Sequence, residues 1–510
     1  MTDRVVINDH VGTVEAVERT HAVAFLIERR PGGAFAAFAV LHMAVWTALP
    51  TLLYANLPLD LIEALTYGRE WQLGSDKLPP LPWWLVEIAW RLFGSDAAYY
   101  ALSAVTVMAA LLVVWATARP LVGPVGALVA VLIVDGLHYL NYTAPKFNHD
   151  VVQLPFWALA GYAFWSALRR GAMTDWVVLG FAVGIALWAK YFVIMLATPL
   201  GLFLLLDADA RRALATPGPW VALVVALAVM APHLVWLVDN DFLPFAYASA
   251  RAAAVRGPLD HLLHPLVFAG SQLLTLLPAL AIAAAFVYPR TAPAPVPADN
   301  FDRRIVALLA LGPAAVMLAG SAITGRGLIA MWGYPLWSFV GLWIVLTTRT
   351  LIDRRRLTRT VAVWGTVFAG FAVAFVINYT VLPHIDHRYR AAFFPGDRLA
   401  SELAGKYRAA TGQPLSFVIA TMWVGGNIAH YAPDHPRVLI DGKPARAPWI
   451  DLDALKARGA LVVWTEGDPM TLPAAFREIA EGARVQAPFT LPSSNGVGAV
   501  EVGWAILPPV

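Results

Sequence analysis

Apolar runs about the length of a bilayer core recur along most of this chain, separated by short polar connections. A membrane-crossing helix needs about 20 mostly apolar residues. Runs of that kind lie at 33–53, 97–117, 123–142, 151–168, 175–190, 192–207, 219–238, 264–287, 304–323, 332–347 and 360–381. The pattern predicts a polytopic α-helical membrane protein of about eleven transmembrane helices. The stretch 175–207 reads either as one long helix or as two short ones around Lys190, and two are expected, because one would reverse the sidedness of everything downstream.

The connections carry a second signal. If the first run enters from the cytoplasm, one side collects Arg29–Arg30, Arg119, Arg169–Arg170, Arg211–Arg212, Arg290, Arg303–Arg304 and the cluster Arg349, Arg354, Arg355, Arg356 and Arg359. Such a one-sided excess is how cytoplasmic loops are marked. An odd number of spans then places the C-terminus outside. Residues 1–32 are mixed and charged, which predicts a cytoplasmic tail and not a cleavable signal peptide. The expected location is a membrane, with the N-terminus cytoplasmic.

Past Pro383 the periodicity changes. Strand-like runs PLSFVIATMW, RVLIDG and GALVVWTEG alternate with helical stretches DRLASELAGKYRAA, DLDALKARG and TLPAAFREIAEGA. That alternation predicts a small α/β domain over 384–510, on the periplasmic face, behind a transmembrane module over 33–383. The GGN at 425–427 and DGK at 441–443 read as turns, and 291–300 as a Pro-rich linker.

Composition agrees: 59% of residues are hydrophobic and 14% charged, with a mean hydropathy of +0.62, far from a soluble average of roughly 25% charged. The net charge of +3 would suggest nucleic acid in a soluble domain. Here the arginines mark topology, and a nucleic-acid partner is rejected. The absence of cysteine removes thiolate chemistry and Cys-based metal sites.

The unusual polar groups gather in the outer loops: 56–84, DGLHYLNYTAPKFNHD (135–150), Lys190, 238–265 and 323–337. Several loops bringing carboxylates, His, Lys, Arg and aromatics to one water layer is what a site at the membrane surface needs. The plainer reading is solvated loop charge, helix caps and an interfacial aromatic belt. Asp60 stands out because Leu61, Ile62 and Leu65 follow it in an amphipathic pattern that would lie along the membrane surface. Trp71, Trp83, Trp84, Trp90, Tyr139, Tyr142, Trp332 and Trp337 fit either a sugar platform or that belt.

Asp60 after the first span, the turn Asp76–Lys77–Leu78–Pro79–Pro80–Leu81 and Leu92–Phe93–Gly94 resemble the GT-C lipid-A aminoarabinose transferases and protein mannosyltransferase-like enzymes. The segments FFPGDRLASELAGKYRAATGQPL, MWVGGNIAHYAPDHPRVLIDG and APWIDLDAL are closer to the alphaproteobacterial lipopolysaccharide galacturonosyltransferases. The resemblance implies a GT-C glycosyltransferase. Such an enzyme would move a sugar, galacturonic acid or similar, from a polyprenyl-phosphate donor to lipid A or the lipopolysaccharide core on the periplasmic face, amid membrane lipids. It makes Asp60 the base, or the carboxylate that orients the acceptor, in an inverting transfer, and Asp150 the second outer-loop acid, which alternatively caps its helix. A leaving phosphate calls for cations, and Lys77, Lys190 and Arg326 are the candidates. Asp76 with His261 or His264 is a candidate orienting group or divalent-metal set, although DHLLH is not HExxH. Leu78, inserted between Lys77 and the prolines, puts the carry-over to Asp76 and Lys77 one residue in question. MWVGGN lacks GxGxxG spacing, so no nucleotide is expected. The alternatives are a protein O-mannosyltransferase-like enzyme and, from another class, a secondary transporter or flippase, which would keep ionisable residues at the midplane.

Overall fold

The computed structural model describes residues 22–290 and 292–509, so most of the expected tail over 1–32 lies outside the described residues. The chain opens with helices α1 (Pro31–Leu53), α2 (Leu59–Gly68), α3 (Leu81–Phe93) and α4 (Asp96–Asp135). It continues through α5 (His149–Arg170), α6 (Met173–Ala189), α7 (Ile194–Leu206), α8 (Gly218–Asp239), α9 (Leu243–Arg251), α10 (Asp260–Val287), α11 (Asn300–Thr324), α12 (Val340–Thr348) and α13 (Arg354–Thr380). Among the described residues seven helices are long and apolar enough to cross a membrane, and two apolar stretches, 173–189 and 191–206, are shorter.

Two expected spans, 97–117 and 123–142, form the single element α4, broken at Gly123, whose backbone (φ 75°, ψ 167°) no helix contains. Only glycine takes that conformation without steric cost. Ser103 in the first arm donates to the carbonyl of Ala144, just beyond the second arm, at 2.5 Å. The arms therefore lie side by side, and the second ends early, at Asp135, in 3-10 turns at His138–Leu140 and Ala144–Lys146. The run 332–347 is likewise cut down to the nine residues of α12, because Gly333 and Pro335 interrupt it. The ambiguous stretch 175–207 is two helices. Lys190 is extended (φ −163°, ψ 135°) between α6 and a 3-10 turn that leads into α7.

One end of the bundle is stitched by the expected cytoplasmic residues. Arg169 meets Asp299 at 2.8 Å, Arg304 reaches Asp207 and Asp209 at 2.8 and 2.7 Å, and Arg354 pairs with Glu28 at 2.7 Å. Backbone bonds from Ala298 to Leu121 and from Ala294 to Arg349 close the same face. From that face α6 rises about 26 Å over its 17 residues and α7 returns about 20 Å over 13, which sets Lys190 at the other end.

Asp135, expected in an outer loop, instead ends α4 inside the bundle as part of a buried polar cluster. His42 lies 3.2 Å from Asp135, both side chains fully buried, and Trp364 donates to Asp135 at 2.8 Å. It is packed shut among aromatic rings, including Phe38, Trp46 and Phe368.

After the short turn α14 (Pro383–Asp386) come α15 (Gly396–Thr411), β1 (Phe417–Ala420), α16 (Met422–Tyr431), β2 (Arg437–Ile440), α17 (Leu452–Arg458) and β3 (Ala460–Trp464). β4 (Arg484–Val485), β5 (Phe489–Pro492) and β6 (Ala499–Leu507) complete the sheet. Its order is β2-β1-β3-β6-β4, with β5 on β6; β1 is parallel to β2 and β3, and β6 is antiparallel to β3. Alternate strand residues face opposite ways. Val418, Ala420, Leu461 and Val463 meet α15 and α16, whereas Phe417, Ile419 and Val462 meet Leu455 and Phe476.

Two local expectations fail here. TLPAAFREIAEGA holds only a 3-10 turn, Ala474–Phe476. GGN is not a turn but the middle of α16. Thr421 caps that helix, and its glycines let it press onto α2: a Cβ on Gly426 would stand 2.5 Å from Thr66 Oγ1 and 2.7 Å from Ile62 Cγ2. The second motif, DGK, is a turn as expected, with positive φ at Asp441 and Gly442.

Candidate active site

The loop from 54 to 60 is clamped by backbone bonds from Ala55 and Asn56 to the Ala392 carbonyl, both 3.0 Å. Pro58 then starts α2, which sets Asp60 in its first turn, while Leu61, Ile62 and Leu65 bury the apolar face. Asn148 holds Asp60 from across the bundle, its Nδ2 donating to Oδ2 at 2.9 Å. The same Asn148 caps α5, its Oδ1 accepting from the backbone N–H groups of Asp150 and Val151 at 3.0 and 3.3 Å. A single side chain thus fixes both the helix start and the orientation of the Asp60 carboxylate. Asp150 lies in the first turn of α5 without being its cap. It accepts from Lys190 at 2.5 Å and from Gln153 at 3.1 Å, and only 4% of its side chain is exposed.

Lys77 is bound to Glu63 of α2. Burial pushes the Glu63 carboxyl up, against the pull of Lys77; burial alone would lower the Lys77 ammonium, but Glu63 beside it holds it above its usual range. Lys77 is thereby kept charged. Its Nζ also lies 5.4 Å from the centre of the Tyr247 ring, a cation–π approach.

These groups surround one cavity of about 250 Å³. Asp60, Glu63, Lys77, Asp150 and Lys190 contribute the charge, with Trp83, Phe147, Tyr191, Phe192, Tyr247 and Trp332 as aromatic walls. Arg251, from α9, adds a third cation. Of the aromatics singled out in the sequence, Trp83 and Trp332 line this cavity. Glu63, Asn148, Tyr247 and Arg251 were missed as individuals, although each lies in an outer loop or turn that the sequence marks as polar.

Four candidates lie elsewhere. Arg326 is exposed and donates to the carbonyl and hydroxyl of Ser249, both at 3.0 Å, outside the cavity lining. Asp76 parts from its neighbour Lys77: it accepts from Tyr67 at 3.1 Å and from Arg446 of the C-terminal sheet region at 2.7 Å. His261 and His264 bond through Nδ1 to the carbonyls of Ala322 and Gly325, at 2.8 and 2.7 Å. Among the described residues no group of three or more His, Asp or Glu is arranged to hold a metal ion.

The helical bundle, with an α/β region pressed on the amphipathic helix that carries Asp60, has the fold of a solved membrane protein. The solved structure of ArnT from Cupriavidus metallidurans bound to undecaprenyl phosphate superposes with a TM-score of 0.62 at 15% identity, over 96% of this chain and 98% of that one. The apo state of the same protein gives 0.58 at 14%, over 94% and 98%. Residues 77–236 match the family model described as dolichyl-phosphate-mannose-protein mannosyltransferase. In sequence, the chain is similar to two Rhizobium johnstonii proteins. Lipid A galacturonosyltransferase RgtD is 31% identical over 185 residues, which cover 34% of this chain and 37% of that relative. Lipopolysaccharide core galacturonosyltransferase RgtA is 28% identical over 361 residues, 66% of this chain and 67% of the other. The chain shares the ArnT fold and resembles membrane glycosyltransferases in sequence.

Proposed function

We propose that this protein transfers a sugar from a polyprenyl-phosphate donor to lipid A or the lipopolysaccharide core, at the periplasmic surface of a bacterial inner membrane. The N-terminus is then cytoplasmic and the sheet region periplasmic. The observation that carries the reading is the cavity whose lining brings Asp60 together with Lys77, Lys190 and Arg251. ArnT, with the same fold, binds undecaprenyl phosphate. RgtD and RgtA, named for galacturonosyl transfer to lipid A and core, support galacturonic acid as the sugar.

In this reading the acceptor hydroxyl oxygen attacks the anomeric carbon as the bond from that carbon to the phosphate oxygen breaks, with inversion. The electron pair leaves with the phosphate, and fixed cations in the cavity stabilise that charge. Lys77 and Lys190 suit this task because Glu63 and Asp150 hold them in place, and Arg251 supplements them. Asp60 takes the hydroxyl proton, or orients the acceptor where that acceptor is itself a phosphate and no proton need leave. Asp150 acts by placing Lys190. Arg326, tied to Ser249, steadies α9, the helix that carries Tyr247 and Arg251.

The test is mass spectrometry of lipid A and core oligosaccharide from cells with and without the protein, complemented by wild type or by Asp60→Asn. Loss of a hexuronic-acid mass that only the wild type restores supports the reading. An unchanged lipopolysaccharide profile overturns the acceptor assignment. A lost mannosyl modification on envelope proteins would instead match the description of the family model over 77–236.

A further inference from the structure

A second cavity, of about 280 Å³, lies where α2 and α3 meet α16 and β2. Arg69, the C-terminal cap of α2, lines it, about 13 Å along that helix from Asp60. Its charges are of both signs. Glu87 of α3 is spent on Arg91 at 2.7 Å, and Arg69 donates to the Pro436 carbonyl at 3.2 Å. Glu70 differs from these. Only 4% of its side chain is exposed, yet its carboxylate accepts no hydrogen bond among the described residues: Arg69 and Arg437 stand beside it at 3.6 and 3.3 Å as unaligned ion pairs. Burial pushes the Glu70 carboxyl up, against the pull of Arg437 and Arg69. Arg437, the first residue of β2, has 49% of its side chain exposed, and its guanidinium donates no hydrogen bond among the described residues; nor does the Trp90 indole, which lines the same cavity. His435 gives its Nδ1 proton to the Ala429 carbonyl at 3.1 Å, which leaves Nε2 of the neutral ring as an acceptor.

Resting on the transfer reading, we propose that this cavity holds an acidic sugar unit of the acceptor glycan, apart from the unit that reacts at Asp60. Its carboxylate takes the open fork of Arg437, its hydroxyls donate to Glu70 and to Nε2 of His435, and its apolar ring face packs on Trp90. The mixed lining decides the ligand class. A bare phosphate would face the buried Glu70 and Glu87 carboxylates, a cation would face three guanidinium groups, and an apolar molecule would bury those charges without partners. A hydroxylated carboxylate meets both signs at once. The mouth is open to solvent at Arg91, Arg437 and His435, which leaves room for the rest of a glycan chain.

The experiment uses the full-length protein in nanodiscs, as wild type, Arg437→Ala, Arg437→Lys, Glu70→Gln and Asp60→Asn, each checked by its melting temperature. Binding of methyl galacturonoside, and of methyl galactoside as the same ring without the carboxylate, is read by calorimetric titration. Transfer is read with core lipopolysaccharide as acceptor and with the same material after reduction of its carboxyl groups. The wild type is expected to bind the galacturonoside at least about tenfold more tightly than the galactoside. Arg437→Ala and Glu70→Gln should each weaken that binding at least about tenfold, with Arg437→Lys keeping part of it and Asp60→Asn all of it. Carboxyl reduction should raise the acceptor KM of the wild type at least about tenfold and leave that of Arg437→Ala where it is, with donor KM unchanged in both. No galacturonoside binding, or binding that neither Arg437→Ala nor Glu70→Gln weakens, overturns the proposal, as does binding lost only in Asp60→Asn. Binding through Arg437 and Glu70 with an acceptor KM indifferent to carboxyl reduction overturns the acceptor as the source of the sugar. If the wild type transfers no sugar yet binds the galacturonoside through Arg437 and Glu70, the site stands and the transfer reading falls.

Discussion

The two ends of the helical bundle use the same residue types for different work. At one end Arg169–Asp299 and Arg304–Asp209 are open to solvent, with 39% and 52%, and 43% and 50%, of their side chains exposed. At the other, Lys190–Asp150 and Lys77–Glu63 are nearly closed off, at 12% and 4%, and 21% and 7%. An exposed pair contributes little, whereas breaking a buried one leaves an uncompensated charge. In the proposed function the first end records sidedness and the second carries the chemistry. Lysine suits the second end for a physical reason as well, since its compact ammonium can serve both a carboxylate and an incoming phosphate oxygen.

The sharpest way to test that contrast is to change charge without shape at the buried end. Asp60→Asn keeps the Asn148 contact within reach and should cut transfer by about 10²–10⁴-fold if Asp60 is the base, with thermal stability unchanged; a steady-state assay on proteoliposomes reads this. Lys190→Met should both abolish activity and destabilise the protein by about 3–5 kcal/mol, because Asp150 is left buried and unpaired. Adding Asp150→Asn should restore the melting temperature without restoring transfer. Recovery of both would make the pair purely structural. At the contact between α16 and α2, Gly426→Val should cost about 1–3 kcal/mol, read as a lowered melting temperature, since the new side chain must displace Thr66 or Ile62. The smallest effect is expected at the exposed end. Arg304→Ala should stay within about 1 kcal/mol and leave kcat and KM as they are. A large loss there would erase the distinction between the two ends.

Much of the architecture was legible. A bundle of membrane-length apolar helices, though seven and not eleven of them are long enough among the described residues, the break at Lys190 and three of the strands follow from hydropathy and period, which are sums over neighbouring residues. The region of the site was also legible, because carboxylates and lysines beside apolar spans are costly to hold and therefore conspicuous. Asp60 and Lys190 stood out in this way, Lys77 and Asp150 through the family resemblance, and all four line one cavity.

What the sequence could not settle is which charge meets which. Asp76 and Lys77 are adjacent in the chain, yet one turns to Arg446, 370 positions away, and the other to Glu63. GGN carries every sign of a turn, and becomes a helix because α2 lies against it and only glycine leaves room. Arg437 looks like any strand-end arginine until α2, α3 and α16 wall a cavity beside it. Local composition determined that this chain spans a membrane. Only the packing of distant segments decided the partners, because the energy of a buried charge depends on what stands within a few ångströms of it and not on its neighbours in sequence.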